Sequence, residues 1–164
     1  MNLSDKTGKV VSTNFYWLPK KTSVFDWSLE HEREHPYYSG VTRSEDLSLL
    51  SQLPKVRLEA SAAVARRPAN RQLEGEDVRV QIHNPSKNLA LQIHLAIVDE
   101  KSGDEILPVL WGDNYVSLMP GETRAVIAHY DSRPGPLRLD VNGWNIEAKN
   151  TPVKGTATKL NQMD

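Results

Sequence analysis

Apolar and polar residues alternate along most of the chain from residue 55 onward. The strongest run covers residues 89–97, where aliphatic side chains occupy every second position and Gln92 and His94 lie between them. Such a period of two places the aliphatic residues on one face of a β-strand, because successive side chains of a strand point to opposite faces. The same pattern predicts strands in the ranges 55–60, 77–83, 89–97, 106–111, 115–119, 123–130 and 137–142.

The first 54 residues show a different pattern. The segment 9–18 is rich in β-branched and aromatic residues, which predicts a strand that ends before Pro19. Thr42 and Glu45 fit a capping box, in which a threonine caps the first turn of a helix and a glutamate returns the hydrogen bond. Leucines follow at helical spacing as far as Pro54, so we expect one short helix there.

Seven to eight short strands at this spacing predict an all-β fold, an immunoglobulin-like antiparallel β-sandwich with one short helix. We expect the sandwich to span residues 9–148, with residues 1–8 as an interdomain lead-in. Residues 149–164 are polar and aperiodic, which predicts a flexible C-terminal tail. Trp17 and Trp144 lie in apolar, alternating surroundings, and we expect both in the core.

Composition narrows the classes of function. The formal net charge of the 164 residues is -1, so we expect neither a nucleic-acid partner nor an anionic membrane partner. No apolar run reaches the roughly 20 residues that span a bilayer. The chain has no cysteine, which excludes a disulfide framework and a cysteine-based metal site. No glycine-rich phosphate loop or dinucleotide fingerprint occurs, and we expect no cofactor.

One stretch carries the letters of a catalytic motif. Residues 31–35 read His-Glu-Arg-Glu-His and match the zinc-metalloprotease pattern H-E-x-x-H. On a helix, His31 and His35 would share one face and Glu32 would act as the base. However, Pro36 follows at once and the stretch is charged throughout, whereas such a helix is normally a core element. We therefore expect a solvated loop without metal. An enzyme that uses these three residues stays open as a third hypothesis, beside the two that are given below.

Four segments of the chain carry a family resemblance. Residues 14–18 read Asn-Phe-Tyr-Trp-Leu, and residues 46–54 form a leucine-rich segment that ends in proline. Residues 107–122 contain a strand, a Gly-Asp-Asn kink, a second strand and a Pro-Gly-Glu turn, and residues 141–145 read Val-Asn-Gly-Trp-Asn. In this order they resemble the C-terminal immunoglobulin-like domain of family 2 glycoside hydrolases of the exo-β-D-glucosaminidase and β-mannosidase type. The resemblance extends over nearly the whole predicted sandwich.

This resemblance implies an accessory domain of an enzyme that hydrolyses terminal β-glycosidic bonds. In that family the catalytic carboxyl groups belong to a separate (β/α)8 barrel, and no alternation of strands and helices occurs in this chain. No catalytic residue is therefore carried over, and we do not expect this chain alone to be an enzyme. The implied partners are the catalytic barrel and neighbouring domains of the parent enzyme, which we expect to be secreted or periplasmic.

The kink at Gly112 supplies the candidate site residues. Trp111, Asp113, Asn114 and Tyr115 are our candidates for contact with sugar or for the rim of the substrate cleft. An aromatic ring suits the C–H face of a pyranose, and Trp111 lies at a loop end. The first hypothesis is a module that packs against a barrel, which predicts an exposed apolar patch. The alternative is an autonomous carbohydrate-binding module for an oligosaccharide, which predicts a row of exposed aromatic residues.

Overall fold

The computed structural model describes residues 1–26, 40–65 and 75–155. Its strands are β1 (Asn2–Ser4), β2 (Val10–Thr13), β3 (Val24–Asp26), β4 (Gly40–Arg43), β5 (Glu59–Ala65), β6 (Glu76–His83), β7 (Ala90–Asp99), β8 (Val109–Trp111), β9 (Val116–Leu118), β10 (Thr123–Tyr130), β11 (Leu137–Asn142) and β12 (Lys149–Lys154). The chain divides into two units, Met1–Leu53 and Pro54–Asp164. Within the described ranges, no helix is long and apolar enough to cross a membrane.

The first unit contains two antiparallel hairpins. Strands β1 and β2 pair with Asn2 opposite Thr13, and strands β3 and β4 pair with Val24 opposite Arg43. The strand predicted over residues 9–18 is therefore shorter, and Trp17 lies beyond it, half-buried rather than in the core. The side chains of β1 and β2 are all exposed.

The predicted helix cap at Thr42 is wrong. Thr42 lies in β4, and its hydroxyl donates a hydrogen bond to the carbonyl of Val24 at 3.1 Å. The helical segment is a 3-10 helix over Ser48–Gln52 that begins after Leu47 and has no side-chain cap. Threonine is β-branched and suits a strand, so the hairpin partner overrides the local capping pattern.

The second unit contains the predicted sandwich. Its strands follow the order β8-β10-β6-β5-β12-β11-β7-β9, and all neighbours pair antiparallel except β5 and β12. This short parallel contact, with Val153 opposite Ala62, joins two antiparallel halves of four strands each. The halves correspond to the two sheets of an immunoglobulin-type sandwich. The predicted fold class is confirmed.

The core lies between these two halves. Alternation in β6 and β7 places one face of each strand inward, as the sequence pattern predicts. Burial of a full aliphatic side chain contributes about 1.5–3 kcal/mol, so the sum over this cluster dominates the stability of the sandwich. Its largest fully buried side chains are Tyr130, Leu58, Ile82, Ile93, Leu95, Ile97, Leu118, Leu137, Leu139, Val56, Val78 and Val80.

Strand β7 departs from the simple alternation at Gln92. Against β9, Ala90 is opposite Leu118 and Ile93 is opposite Val116, so the β7 side has one extra residue. Gln92 takes a positive φ of 49° at this bulge. The bulge shifts the phase of the strand. The single apolar face predicted for residues 89–97 therefore holds only from Ile93 onward.

The predicted tail begins with a strand of the sandwich. Residues Lys149–Lys154 form β12, which pairs with β11 on one side and with β5 on the other. Val153 is buried in the core. The sequence of β12 is polar because most of its side chains are exposed, and backbone pairing determines its conformation. Residues 156–164 lie outside the described part of the chain.

Two buried asparagines connect the strand ends. Asn145 is 2% exposed; its Oδ1 accepts the amide of Leu91 at 2.9 Å, and its Nδ2 donates to the carbonyls of Pro54 and Leu89 at 2.8 Å each. Asn84 is 0% exposed and donates to the carbonyls of residues 88, 118 and 119. Each side chain satisfies backbone groups that no strand partner reaches.

Asn145→Ala should lower the free energy of unfolding by at least about 2 kcal/mol, because it leaves one amide and two carbonyls without their partner. Urea denaturation followed by circular dichroism measures the change. Asn142→Ala is the matched control, since Asn142 is exposed and lies three residues earlier, at the end of β11; its effect should stay within about 0.5 kcal/mol. Equal losses for the two variants would contradict the role assigned to Asn145.

The hydroxyl of the core residue Tyr130 is hydrogen-bonded to a carboxylate. Tyr130 is 1% exposed, and its hydroxyl donates to Oε2 of Glu76 at 2.7 Å. Ser132 donates to the other carboxylate oxygen at 3.0 Å. Burial, followed by the hydrogen bond and charge of Glu76, raises the pKa of Tyr130 above its ordinary value of 10.0. The folded chain therefore holds this proton more tightly than the unfolded chain.

Tyr130→Phe should cost about 1.5–3 kcal/mol at neutral pH, because it removes a hydrogen bond to a charged acceptor. The raised pKa contributes stability that is present below pH 10 and is lost as the pH rises above it. The difference between wild type and variant should therefore shrink above that pH, as measured by urea denaturation across a pH series. A difference that stays constant or grows would contradict the assignment.

Candidate functional site

The candidate loop crosses from one half of the sandwich to the other. Trp111 ends β8, where it is opposite Ala128 of β10. Val116 begins β9, where it is opposite Ile93 of β7. Residues 112–115 make the crossing, which explains why a Gly-Asp-Asn kink lies between two apolar segments.

Asn114 has a structural role. Its Oδ1 accepts the amide of Leu95 at 2.9 Å, and its Nδ2 donates to the carbonyl of the same residue at 3.0 Å. The side chain thus replaces a strand partner for Leu95. Its Oδ1 also accepts the amide of Tyr115 at 2.8 Å. Both polar atoms of Asn114 are therefore used within the fold.

Asp113 belongs to a small ion-pair network. Its Oδ2 lies 3.5 Å from Nη1 of Arg124, while Nη2 of Arg124 lies 2.7 Å from Oε1 of Glu122. Glu122 also accepts the amide of Met119 at 2.9 Å through its second oxygen. The guanidinium lies between two carboxylates and forms an ion pair with each. This network fixes the loop to the Pro-Gly turn.

Trp111 packs inward. It is half-buried and lies against the core cluster together with Val109. Leu110, which precedes Trp111 on β8, faces the opposite side of the strand and is 62% exposed. The indole of Trp111 therefore stabilises the edge of the sandwich, and it is not an open aromatic surface.

Tyr115 is the candidate that faces outward. It is 64% exposed and has a positive φ of 53°, a rare conformation for a bulky residue. Its ring lies 4.8 Å from the ring of His94, at an interplanar angle of 31°. His94 lies on the outer face of β7, opposite Asn142 of β11. The structure thus brings Tyr115 together with residues that the loop sequence alone does not indicate.

Trp144 is a second exposed aromatic residue on this half of the sandwich. It is 53% exposed, so the expectation that it lies in the core is wrong. Its amide donates to the carbonyl of Leu91 at 3.1 Å, next to the bulge at Gln92. Gly143 permits this close approach, because a Cβ there would lie 2.6 Å from the carbonyl oxygen of Gln92. The next residue, Asn145, is buried, whereas Trp144 faces outward.

Within the described residues, no group of three or more histidine, aspartate and glutamate side chains could hold a metal ion. His31, Glu32 and His35 lie outside those residues. The expected metal-free loop at this motif therefore stays a prediction, and the third hypothesis, a zinc enzyme, stays untested.

The comparisons with known proteins identify the family. The sequence model of the exo-β-D-glucosaminidase Ig-fold domain matches residues 36–146, more than half of the chain. The chain belongs to this family. The family resemblance drawn from four short segments is confirmed.

Exo-β-D-glucosaminidases of Arthroderma benhamiae and Streptomyces avermitilis are 36% and 33% identical to the chain over 147 and 154 residues. These alignments cover 90% and 92% of the chain but only 15% and 16% of the relatives. A solved complex of Amycolatopsis orientalis exo-chitosanase with PNP-β-D-glucosamine has a TM-score of 0.75 at 30% identity, over 92% of this chain and 17% of that one. The exo-β-D-glucosaminidase Ig-fold domain is thus a small part of multidomain enzymes, which supports its interpretation as an accessory domain.

The family resemblance rests largely on structural residues. In the segment 107–122, Asn114 replaces a strand partner, Glu122 binds a turn amide and Arg124, and Trp111 packs on the core. In the segment 141–145, Asn145 binds the backbone of Leu89 and Leu91, at the start of β7, and the carbonyl of Pro54. In this chain, the residues of these two motifs therefore serve the fold.

Asn114→Ala should destabilise the domain by about 2–4 kcal/mol, because the amide and carbonyl of the buried Leu95 lose their partner. Thermal and urea unfolding measure the effect. Asp113→Ala, one residue away, removes only an ion pair of an exposed side chain and should cost no more than about 0.5 kcal/mol. If both variants are as stable as wild type, Asn114 has no structural role.

Proposed function

We propose that this domain is a non-catalytic part of an exo-β-D-glucosaminidase in which a separate barrel domain, packed against it, hydrolyses the substrate. One observation carries the proposal. The alignments extend over nine tenths of this chain, yet over only 15% and 16% of two exo-β-D-glucosaminidases. Most of the length of those enzymes therefore lies outside the matched domain and is available for catalysis.

The chemistry of the described carboxylates supports this proposal. Glycoside hydrolysis needs two carboxyl groups that face a sugar across roughly 5–9.5 Å. Three carboxylates of the sandwich that lie in hydrogen bonds or ion pairs have partners within the fold. Glu76 accepts hydrogen bonds from Tyr130 and Ser132. Asp77 is buried beside His129, and Glu122 bonds Arg124. These groups stabilise the fold.

The purified chain should release no p-nitrophenol from PNP-β-D-glucosamine above the rate of a mock purification. Amycolatopsis orientalis exo-chitosanase serves as the active control. Turnover that co-purifies with the folded chain would contradict the proposal. Glu32→Gln then distinguishes the sources, because activity that depends on His31, Glu32 and His35 must fall in this variant.

The autonomous carbohydrate-binding module remains the second candidate function, and one observation favours it. Tyr115 and Trp144 are both more than half exposed on one half of the sandwich. Exposed aromatic rings are costly to leave in water, and they are the feature that the binding-module hypothesis predicts. The two functions are compatible, since a supporting domain can also contact the oligosaccharide.

A further inference from the structure

The half of the sandwich formed by β12, β11, β7 and β9 has one polar surface with exposed aromatic side chains. We call it the aromatic surface; it consists of Gln92, His94, Tyr115, Asn142 and Trp144. Gln92 and His94 belong to β7, Tyr115 precedes β9, and Asn142 ends β11 with Trp144 two residues further. Gln92 and Asn142 are exposed and His94 is half-buried.

The contacts between these strands bring the five residues together. The rings of Tyr115 and His94 lie 4.8 Å apart, and His94 is opposite Asn142 in the strand register. The amide of Trp144 bonds the carbonyl of Leu91, next to Gln92. The amide of Gln92 in turn bonds Oγ of Ser117 on β9 at 3.2 Å. Tyr115, His94 and Asn142 therefore lie side by side across β9, β7 and β11, and the backbone of Trp144 lies beside the bulge at Gln92.

Among the non-glycine residues of the described ranges, a positive φ occurs at this surface and at no other position. Gln92 and Tyr115 are the two non-glycine residues there with positive φ. The conformation of Tyr115 is stabilised by Asn114, which accepts its amide. Gln92 lies at a bulge that Gly143 approaches closely. Strained backbone persists only where the surrounding structure enforces it, and it concentrates at binding sites.

The chemistry of the surface fits a sugar. The rings of Tyr115 and Trp144 can each cover the C–H face of a pyranose. The imidazole of His94 and the amides of Gln92 and Asn142 supply donors and acceptors for hydroxyl groups. Aromatic faces also attract a cation, such as the ammonium of an amino sugar. A protein partner would instead favour a continuous apolar patch, which the polar side chains interrupt.

We propose that the aromatic surface binds a β-linked glucosamine oligosaccharide. The choice of glucosamine rests on the proposed function of the parent enzyme, while the choice of a sugar rests on the surface itself. Tyr115 and Trp144 supply the stacking contacts, and His94, Gln92 and Asn142 supply the hydrogen bonds. Of the four loop residues that the sequence indicates as sugar contacts, only Tyr115 belongs to this surface.

A titration of the isotope-labelled full chain with the glucosamine tetrasaccharide, followed by NMR, tests the proposal. The amides of residues 92, 94, 115 and 144 and the indole of Trp144 should shift in a saturable way at millimolar sugar. A cello-oligosaccharide of equal length should bind more weakly, because it lacks the ammonium groups. Absence of shifts, or shifts confined to other surfaces, would overturn the proposal and leave the surface for a neighbouring domain.

Tyr115→Gly separates binding from folding. Glycine adopts positive φ without strain, so the thermal midpoint should be retained while affinity falls about tenfold or more through the loss of one aromatic contact. Trp144→Ala should weaken binding similarly. Leu110→Ala is the control, because Leu110 is 62% exposed on the opposite half of the sandwich. Unchanged affinity in both aromatic variants would overturn the proposal.

The sugar-binding measurements and the activity assay test separate proposals. If the chain binds the tetrasaccharide and releases no product, both proposals stand. If it hydrolyses PNP-β-D-glucosamine, the proposed accessory role fails whatever the binding result. If neither binding nor turnover occurs, only the assignment of the aromatic surface fails.

Discussion

The sandwich depends on asparagine side chains that take the place of backbone partners. Strand ends, bulges and crossings leave amides and carbonyls that no neighbouring strand reaches, and an unpaired buried polar group costs about 1–3 kcal/mol. Asn145, Asn84 and Asn114 each present a donor and an acceptor to such groups. Without them the edges of the two halves would lack partners at the places where the chain changes direction.

The same asparagines position the outer surface. The buried Asn145 directly follows the exposed Trp144, and Asn114 accepts the amide of Tyr115 and stabilises its unusual φ. The side chains that fold the domain therefore lie next to those that we assign to the ligand. In this account the loop motif and the Gly-Trp-Asn motif combine one structural asparagine with one exposed aromatic residue.

The sandwich was predictable because its strands alternate and its core is aliphatic. The failures have specific physical causes. β12 is polar in sequence, and its pairing with β5 and β11 is a tertiary effect. Thr42 matches a helix cap, but its hydroxyl donates to the carbonyl of Val24 on the partner strand β3. The bulge at Gln92 shifts the phase of β7, which local periodicity cannot show.

The candidate site was predictable only in part, because neighbours in space decide the role of each residue. The loop sequence indicates Trp111, Asp113, Asn114 and Tyr115 equally. Three of them turn out to bond or pack within the fold. His94 lies on β7 and Trp144 follows β11, so the two are far apart in sequence, and no local sequence signal places them on one surface. The alternation in β7 gave His94 an outward position without indicating its neighbour.

Hydrogen exchange of the full chain tests the central claim most directly. The amides of Leu91 and Leu95 each donate to an asparagine side chain instead of a neighbouring strand. If those side chains are integral to the fold, the amides of Leu91 and Leu95 exchange only through global unfolding, as slowly as the core amide of Val80. Exchange of these two amides at the rate of exposed loops would show that the asparagine contacts open freely, and it would contradict the account.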